Sequence, residues 1–140
     1  MNSLNWERAK PIALAIVVTI VWRALPLSFP KDLGTFLSAS LSFAAILVGF
    51  AVTIQTVLVT VSGADVIGRI KKSGYMEDLD SYLKHATYSL LLFSLMNLVG
   101  FLLPTAAAFW FELIWVFLCV YALAAFFRVS EIISKILKAA

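Results

Sequence analysis

The chain has 140 residues, 62% of them hydrophobic, with a mean hydropathy of +0.97 and a formal net charge of +3. These values exclude a soluble globular enzyme and leave an all-α membrane protein of one domain, residues 1–140, with no room for a separate soluble module. The single cysteine, Cys119, excludes an intrachain disulfide, and the modest positive charge sits on Lys and Arg flanking apolar runs, where it reads as a topology signal.

The first predicted span covers about residues 11–25. A polar start, NSLNWERAK, precedes an apolar run from Ile12 to Trp22. This has the outline of a signal peptide, but no small-x-small cleavage site follows the run, so the reading is a short membrane span. Trp6 and Trp22 are its interface anchors, about 24 Å apart at ~1.5 Å per residue. Pro11 fits the first turn, or kinks the helix if that helix begins near Asn5. The next stretch, LPLSFPKD, holds Pro26 and Pro30 and makes a short turn on the far side.

The second span, residues 33–62, is the most informative stretch. No charge occurs between Asp32 and Asp65, and the pattern runs on to Ile70. About 38 helical residues would reach roughly 57 Å against a hydrocarbon core of about 30 Å, so this helix is expected to be long and to project into the cytoplasm. Ser38, Ser42, Ala45, Gly49, Thr53, Thr56, Thr60 and Gly63 recur at steps of three or four. At ~100° per residue they form a stripe roughly 80° wide on one face. Three readings compete for this stripe: packing inside the protomer, an oligomer interface, or a hydroxyl-lined pore that itself requires several copies.

Residues 63–84 are expected to form a cytoplasmic helical hairpin. Gly74 would cap the long helix after the basic cluster Arg69, Lys71 and Lys72, and Glu77, Asp78 and Asp80 suit the start of the next helix. The third span, residues 83–103, carries Ser94, Asn97 and Gly100 on one side. Pro104 and Thr105 form a tight far-side turn, with Thr105 as an N-cap. The fourth span, residues 106–127, has Trp110 and Trp115 near its entrance and Arg128 at its exit, and residues 128–140 continue as an amphipathic tail.

Nine Lys and Arg fall on the side of the termini and the middle loop, against Arg23 and Lys31 on the other. Four spans with both termini cytoplasmic follow from that asymmetry.

Chemistry is sparse. No carboxylate pair lies within a span, no metal-ligand spacing and no glycine-rich phosphate loop occurs, and His85 is the only histidine. The chain therefore reads as a non-enzyme without cofactor or metal. Gln55 and Asn97 are the two amides near the membrane midplane. Gln55 lies ~120° from the stripe, so the two features face different neighbours. A hydrogen bond from Gln55 to Asn97 or Ser94 is one reading, and a polar constriction that admits water is the other. Glu112 either snorkels at the start of the fourth span or contributes to a carboxylate ring at an outer pore mouth. The cluster Arg69, Lys71 and Lys72 suits anionic lipid or an anionic trigger.

The segment LGTFLSASLSFAAILVGFAVTIQTVLVTV, followed by IGRIKKSGYM, resembles the RexB type of phage-exclusion membrane protein. The shared points are size, four spans, a Gly/Ser/Thr-rich second span and a basic loop ending in Gly74, Tyr75 and Met76. The resemblance covers about half the chain. It implies an ion channel that depolarises the cytoplasmic membrane when a partner senses infection. On this reading the chain is a homo-oligomeric pore-forming effector of antiphage, abortive-infection type. Ser38, Ser42, Gly49, Thr53, Thr56 and Thr60 would line it or join its copies, and a cytoplasmic sensor protein or nucleotide-type signal would gate it through residues 65–84. Membrane lipids are its other partners, and direct nucleic-acid contact is disfavoured but left open. Two alternatives stand beside it: a non-conducting structural or regulatory subunit that binds another membrane protein, and a phage holin.

Overall fold

The computed structural model describes residues 2–25, 27–60, 75–103 and 108–139. They form four helices: α1 (Asn2–Ala24), α2 (Leu33–Thr60), α3 (Tyr75–Leu102) and α4 (Ala108–Ala139). Three segments are long and apolar enough to cross a membrane: Leu33–Val57, Leu79–Leu102 and Phe109–Ser134. In α1 the apolar run is shorter and is preceded by the charged residues Glu7, Arg8 and Lys10.

Pro11 lies inside α1, which begins well before it, so the first-turn placement does not hold and the helix carries one missing backbone donor in its interior. Asp32 starts α2. Its carboxylate accepts the Thr35 backbone N–H at 3.1 Å and the Thr35 hydroxyl at 2.6 Å, which satisfies a donor that the first turn leaves unpaired. The 28 residues of α2 span roughly 42 Å, already more than a hydrocarbon core of about 30 Å. Its expected continuation through Ile70, the Gly74 cap and the basic cluster lie outside the described residues, as does the Thr105 cap. The described part of the expected hairpin, residues 75–84, belongs to α3, which runs unbroken from Tyr75 into the third apolar segment. The tail likewise continues α4 to Ala139.

The extensive helix pairings are α2 with α3, α3 with α4, and α4 with α1. This leaves α1 and α2 as the outer members of the series. Two apolar clusters hold it together. The larger gathers Leu37 and Ala44 of α2, Leu90 and Phe93 of α3, and Phe111, Trp115, Val116 and Ala122 of α4. The smaller joins Ala51 of α2 to Leu83 and Ala86 of α3 and to Ala125 and Val129 of α4. Ring contacts lock the turn between α1 and α2 onto the bundle: Phe29 lies 5.4 Å from Phe36, 6.0 Å from Phe111 and 5.3 Å from Trp115 between centroids. Only 17%, 39% and 28% of the three apolar segments is buried inside the protomer, so most of their side chains need lipid or other apolar surroundings.

Candidate functional site: the outer face of α2 and the polar groups behind it

The buried line of α2 runs through Leu37, Ala44 and Ala51. At ~100° per residue the small-residue stripe is centred roughly 150° away from that line. The structure accordingly leaves Ser38, Ser42, Ala45, Gly49, Thr53 and Thr56 exposed on the outside of the protomer. A Cβ built on Gly49 meets nothing within 4 Å. Packing inside the protomer, one of the three readings of the stripe, is therefore not what these residues do. Thr60 closes the described part of α2, and Gly63 lies beyond it.

The hydroxyls of the stripe are tied to their own helix. Ser42 donates to the Ser38 carbonyl at 2.9 Å, Thr53 to Gly49 at 2.8 Å and Thr56 to Val52 at 3.0 Å. With the proton turned back along the helix, Ser42 and Thr53 present acceptor lone pairs outward, a surface suited to cations or to donor groups. Beside the stripe, Phe43, Ile46, Phe50 and Val57 form a second exposed strip of bulky apolar side chains. The outer side of α2 is thus divided into a small, weakly polar face and a large, apolar one.

Behind α2 the two amides are separate. Gln55 Nε2 donates to Thr87 Oγ1 of α3 at 3.1 Å, and the Thr87 hydroxyl in turn donates a hydrogen bond to the Leu83 carbonyl. The expected bond from Gln55 to Asn97 or Ser94 does not form, because Ser94 donates to Leu90 O of its own helix and Asn97 is engaged elsewhere. Asn97, fully buried, is a three-helix node. Its Oδ1 accepts from Ser40 of α2 and from Trp115 Nε1 of α4 at 3.0 Å, while its Nδ2 donates to Phe93 O at 2.8 Å. Asn97 is thus closed in by the protein, with both amide atoms bonded to protein groups.

Sequence reasoning missed Ser40 and the inward role of Trp115. The signal for Ser40 is its position: it lies among the hydroxyl residues of α2 yet off the stripe, on the side of Leu37 and Ala44. Trp110 is exposed and suits the interface, whereas Trp115 sits in the aromatic core beside Phe36 and Phe93.

Glu112 is half-buried at the junction of α4 with α1, where its Oε1 accepts the Trp22 indole N–H at 2.9 Å. It is not aligned with the stripe of α2. At the opposite end of the bundle, Arg128 lies over the Tyr82 ring, 4.5 Å from the centroid, and joins α4 to α3. Arg69, Lys71 and Lys72 lie outside the described residues. Comparison with protein-family models, with curated proteins and with solved structures finds no match to this chain.

Proposed function

We propose that the protein is a pore-forming effector of a bacterial inner membrane, in which several copies assemble through the outer face of α2 and conduct ions along its hydroxyl stripe. The observation that carries this reading is the outward position of Ser42, Gly49, Thr53 and Thr56 on an edge helix long enough to cross the membrane. Small residues let helix backbones approach closely between copies, and acceptor oxygens replace part of an ion's hydration. The acceptor character of Ser42 and Thr53 favours cations over anions.

In this reading α1 is a fourth span, both termini are cytoplasmic and the basic loop after α2 receives the gating signal. The charge asymmetry of the loops supports the orientation. The resemblance of the second span to RexB-type proteins supports a role in abortive infection. A non-conducting subunit would use the same outward stripe to bind a different membrane protein.

Replacing Thr53, Thr56 and Thr60 together with valine keeps their volume and removes their oxygens, and a pore of that kind dewets. The triple variant should insert in normal amounts and fail to depolarise cells read with a potential-sensitive dye. Ile54→Val and Val57→Ile, off the stripe, should leave depolarisation intact. Equal depolarisation by the triple variant and the wild type would mean that the stripe does not conduct.

A further inference from the structure

A crevice of about 120 Å³ opens between the end of α1 and the start of α4. Two opposite charges flank it. Glu112 lies on one wall with Oε1 fixed by the Trp22 indole, and Arg23 lies on the other, its guanidinium 5.2 Å from the Phe109 ring centroid. Among the described residues the two do not pair with each other: each is oriented by an aromatic neighbour and keeps charge available toward the gap. Leu25 and Leu27 complete an apolar rim. The apolar run of α1 ends here, at Trp22, which is the depth at which a span meets headgroups.

We propose that this crevice seats the headgroup of an aminophospholipid, with its ammonium on Glu112 and its phosphate on Arg23. The inference rests on the membrane placement of α1 and α4, not on conduction. A carboxylate accepts from an ammonium with up to three donors, and a guanidinium donates to phosphate in a paired geometry. A headgroup that carries both charges a few bonds apart satisfies both walls, whereas phosphatidylglycerol offers nothing to Glu112. Phosphatidylcholine carries the positive charge but no N–H donor. The apolar rim then receives the glycerol end of the lipid.

The test is lipid retention by the full chain in mild detergent, counted by native mass spectrometry. Phosphatidylethanolamine, phosphatidylcholine and phosphatidylglycerol with identical acyl chains are supplied in equal amounts. The wild type should retain phosphatidylethanolamine about tenfold over phosphatidylglycerol, the scale of one charge-assisted hydrogen bond, and also above phosphatidylcholine. Glu112→Gln keeps an acceptor for Trp22 but should remove the preference, while Arg23→Gln should lower retention of all three lipids. Equal retention of the three lipids by the wild type, or an undiminished preference in Glu112→Gln, overturns the assignment. Tighter binding of free phosphoethanolamine than of phosphatidylethanolamine overturns it in favour of a soluble ligand. Carbonate-washed membranes separate the two levels. A protein found there without lipid preference removes only the headgroup site, and a protein found in the soluble fraction removes the membrane placement as well.

Discussion

Asn97→Leu probes the node that joins α2, α3 and α4. Leucine keeps the branched outline and the four side-chain heavy atoms of asparagine but is bulkier, so overpacking at this fully buried site adds to the loss of one acceptor and one donor. The donor matters least, since Asn97 Nδ2 bonds only to Phe93 O of its own helix. The single Ser40 hydroxyl proton, shared between Leu37 O at 3.1 Å and Asn97 Oδ1, can turn wholly to Leu37 O, so Ser40 forfeits one interhelical bond, worth about 0.6 kcal/mol in membranes. The larger cost falls on Trp115, whose indole N–H, on a side chain only 8% exposed, is left without its acceptor. A buried donor left unpaired costs about 1–3 kcal/mol, so the lost hydrogen bonds alone should cost about 2–4 kcal/mol, with any overpacking by leucine added to that. Equilibrium unfolding in mixed detergent micelles, followed by far-ultraviolet circular dichroism, measures this loss. The decisive step is the double-mutant cycle with Trp115→Phe, which removes the orphaned donor together with part of the ring. Loss of ring volume contributes on both sides of the cycle and cancels, leaving a coupling of about 1–3 kcal/mol. Additivity within about 0.5 kcal/mol would refute the node as an energetic unit.

Gly100 offers a steric counterpart: a Cβ there would lie 2.5 Å from Phe111 Cζ and 2.7 Å from Leu37 Cδ1, both on well-buried side chains. Gly100→Ala should therefore be net destabilising in the same assay, because overpacking of about 1–3 kcal/mol exceeds or offsets a helix-propensity gain of about 1 kcal/mol. Gly49→Leu meets open space within the protomer, so its unfolding should be no easier than the wild type's, and harder by up to the helix-propensity gain of about 1 kcal/mol, while its mass by light scattering in nanodiscs falls; an unchanged oligomer would remove the stripe as the interface. The Thr35 hydroxyl and backbone N–H hold the Asp32 carboxyl below its ordinary value of 3.8. A lowered folded-state value means that the cap's contribution is present above 3.8 and lost as pH falls through the folded value, so the thermal midpoints of the wild type and Asp32→Ala should converge in acid. A gap between them that stays constant from neutral pH to well below 3.8 would refute the cap's charge as its source.

The helices themselves were legible because length and composition decide them. Asp32 beside an uncharged run marks the start of α2, and the approach to Pro104 marks the end of α3. The stripe of α2 was legible as a face, and so was its separation from Gln55. Its direction was not. In a soluble protein the apolar side of a helix points inward, but lipid is as apolar as a core, so hydrophobicity gives no inside or outside to α2. Both its buried line, Leu37 to Ala51, and its exposed strip, Phe43 to Val57, are built from apolar residues. Partner choice was hidden for a related reason. Gln55 reaches Thr87 rather than Asn97 because register between helices depends on how deeply each sits, and the sequence states only where each begins. Trp115 could be placed near the start of α4, but not inside the bundle, where the ring of Phe29, folded back from the turn, lies 5.3 Å from it between centroids.

The pairing of α1 with α4 has a consequence for the order in which the chain is made. Trp22 and Glu112 are 90 residues apart, so α1 leaves the ribosome well before the helix it packs against. At about 5–20 residues per second, α1 waits roughly 5–18 s for its neighbour. During that interval it must hold its place with the shortest apolar run of the four helices and with Pro11 in its interior. The hairpin of α3 with α4 closes sooner, since those helices are adjacent in the chain. A nascent chain that stops before α4 leaves the Trp22 indole N–H without the Glu112 carboxylate that receives it.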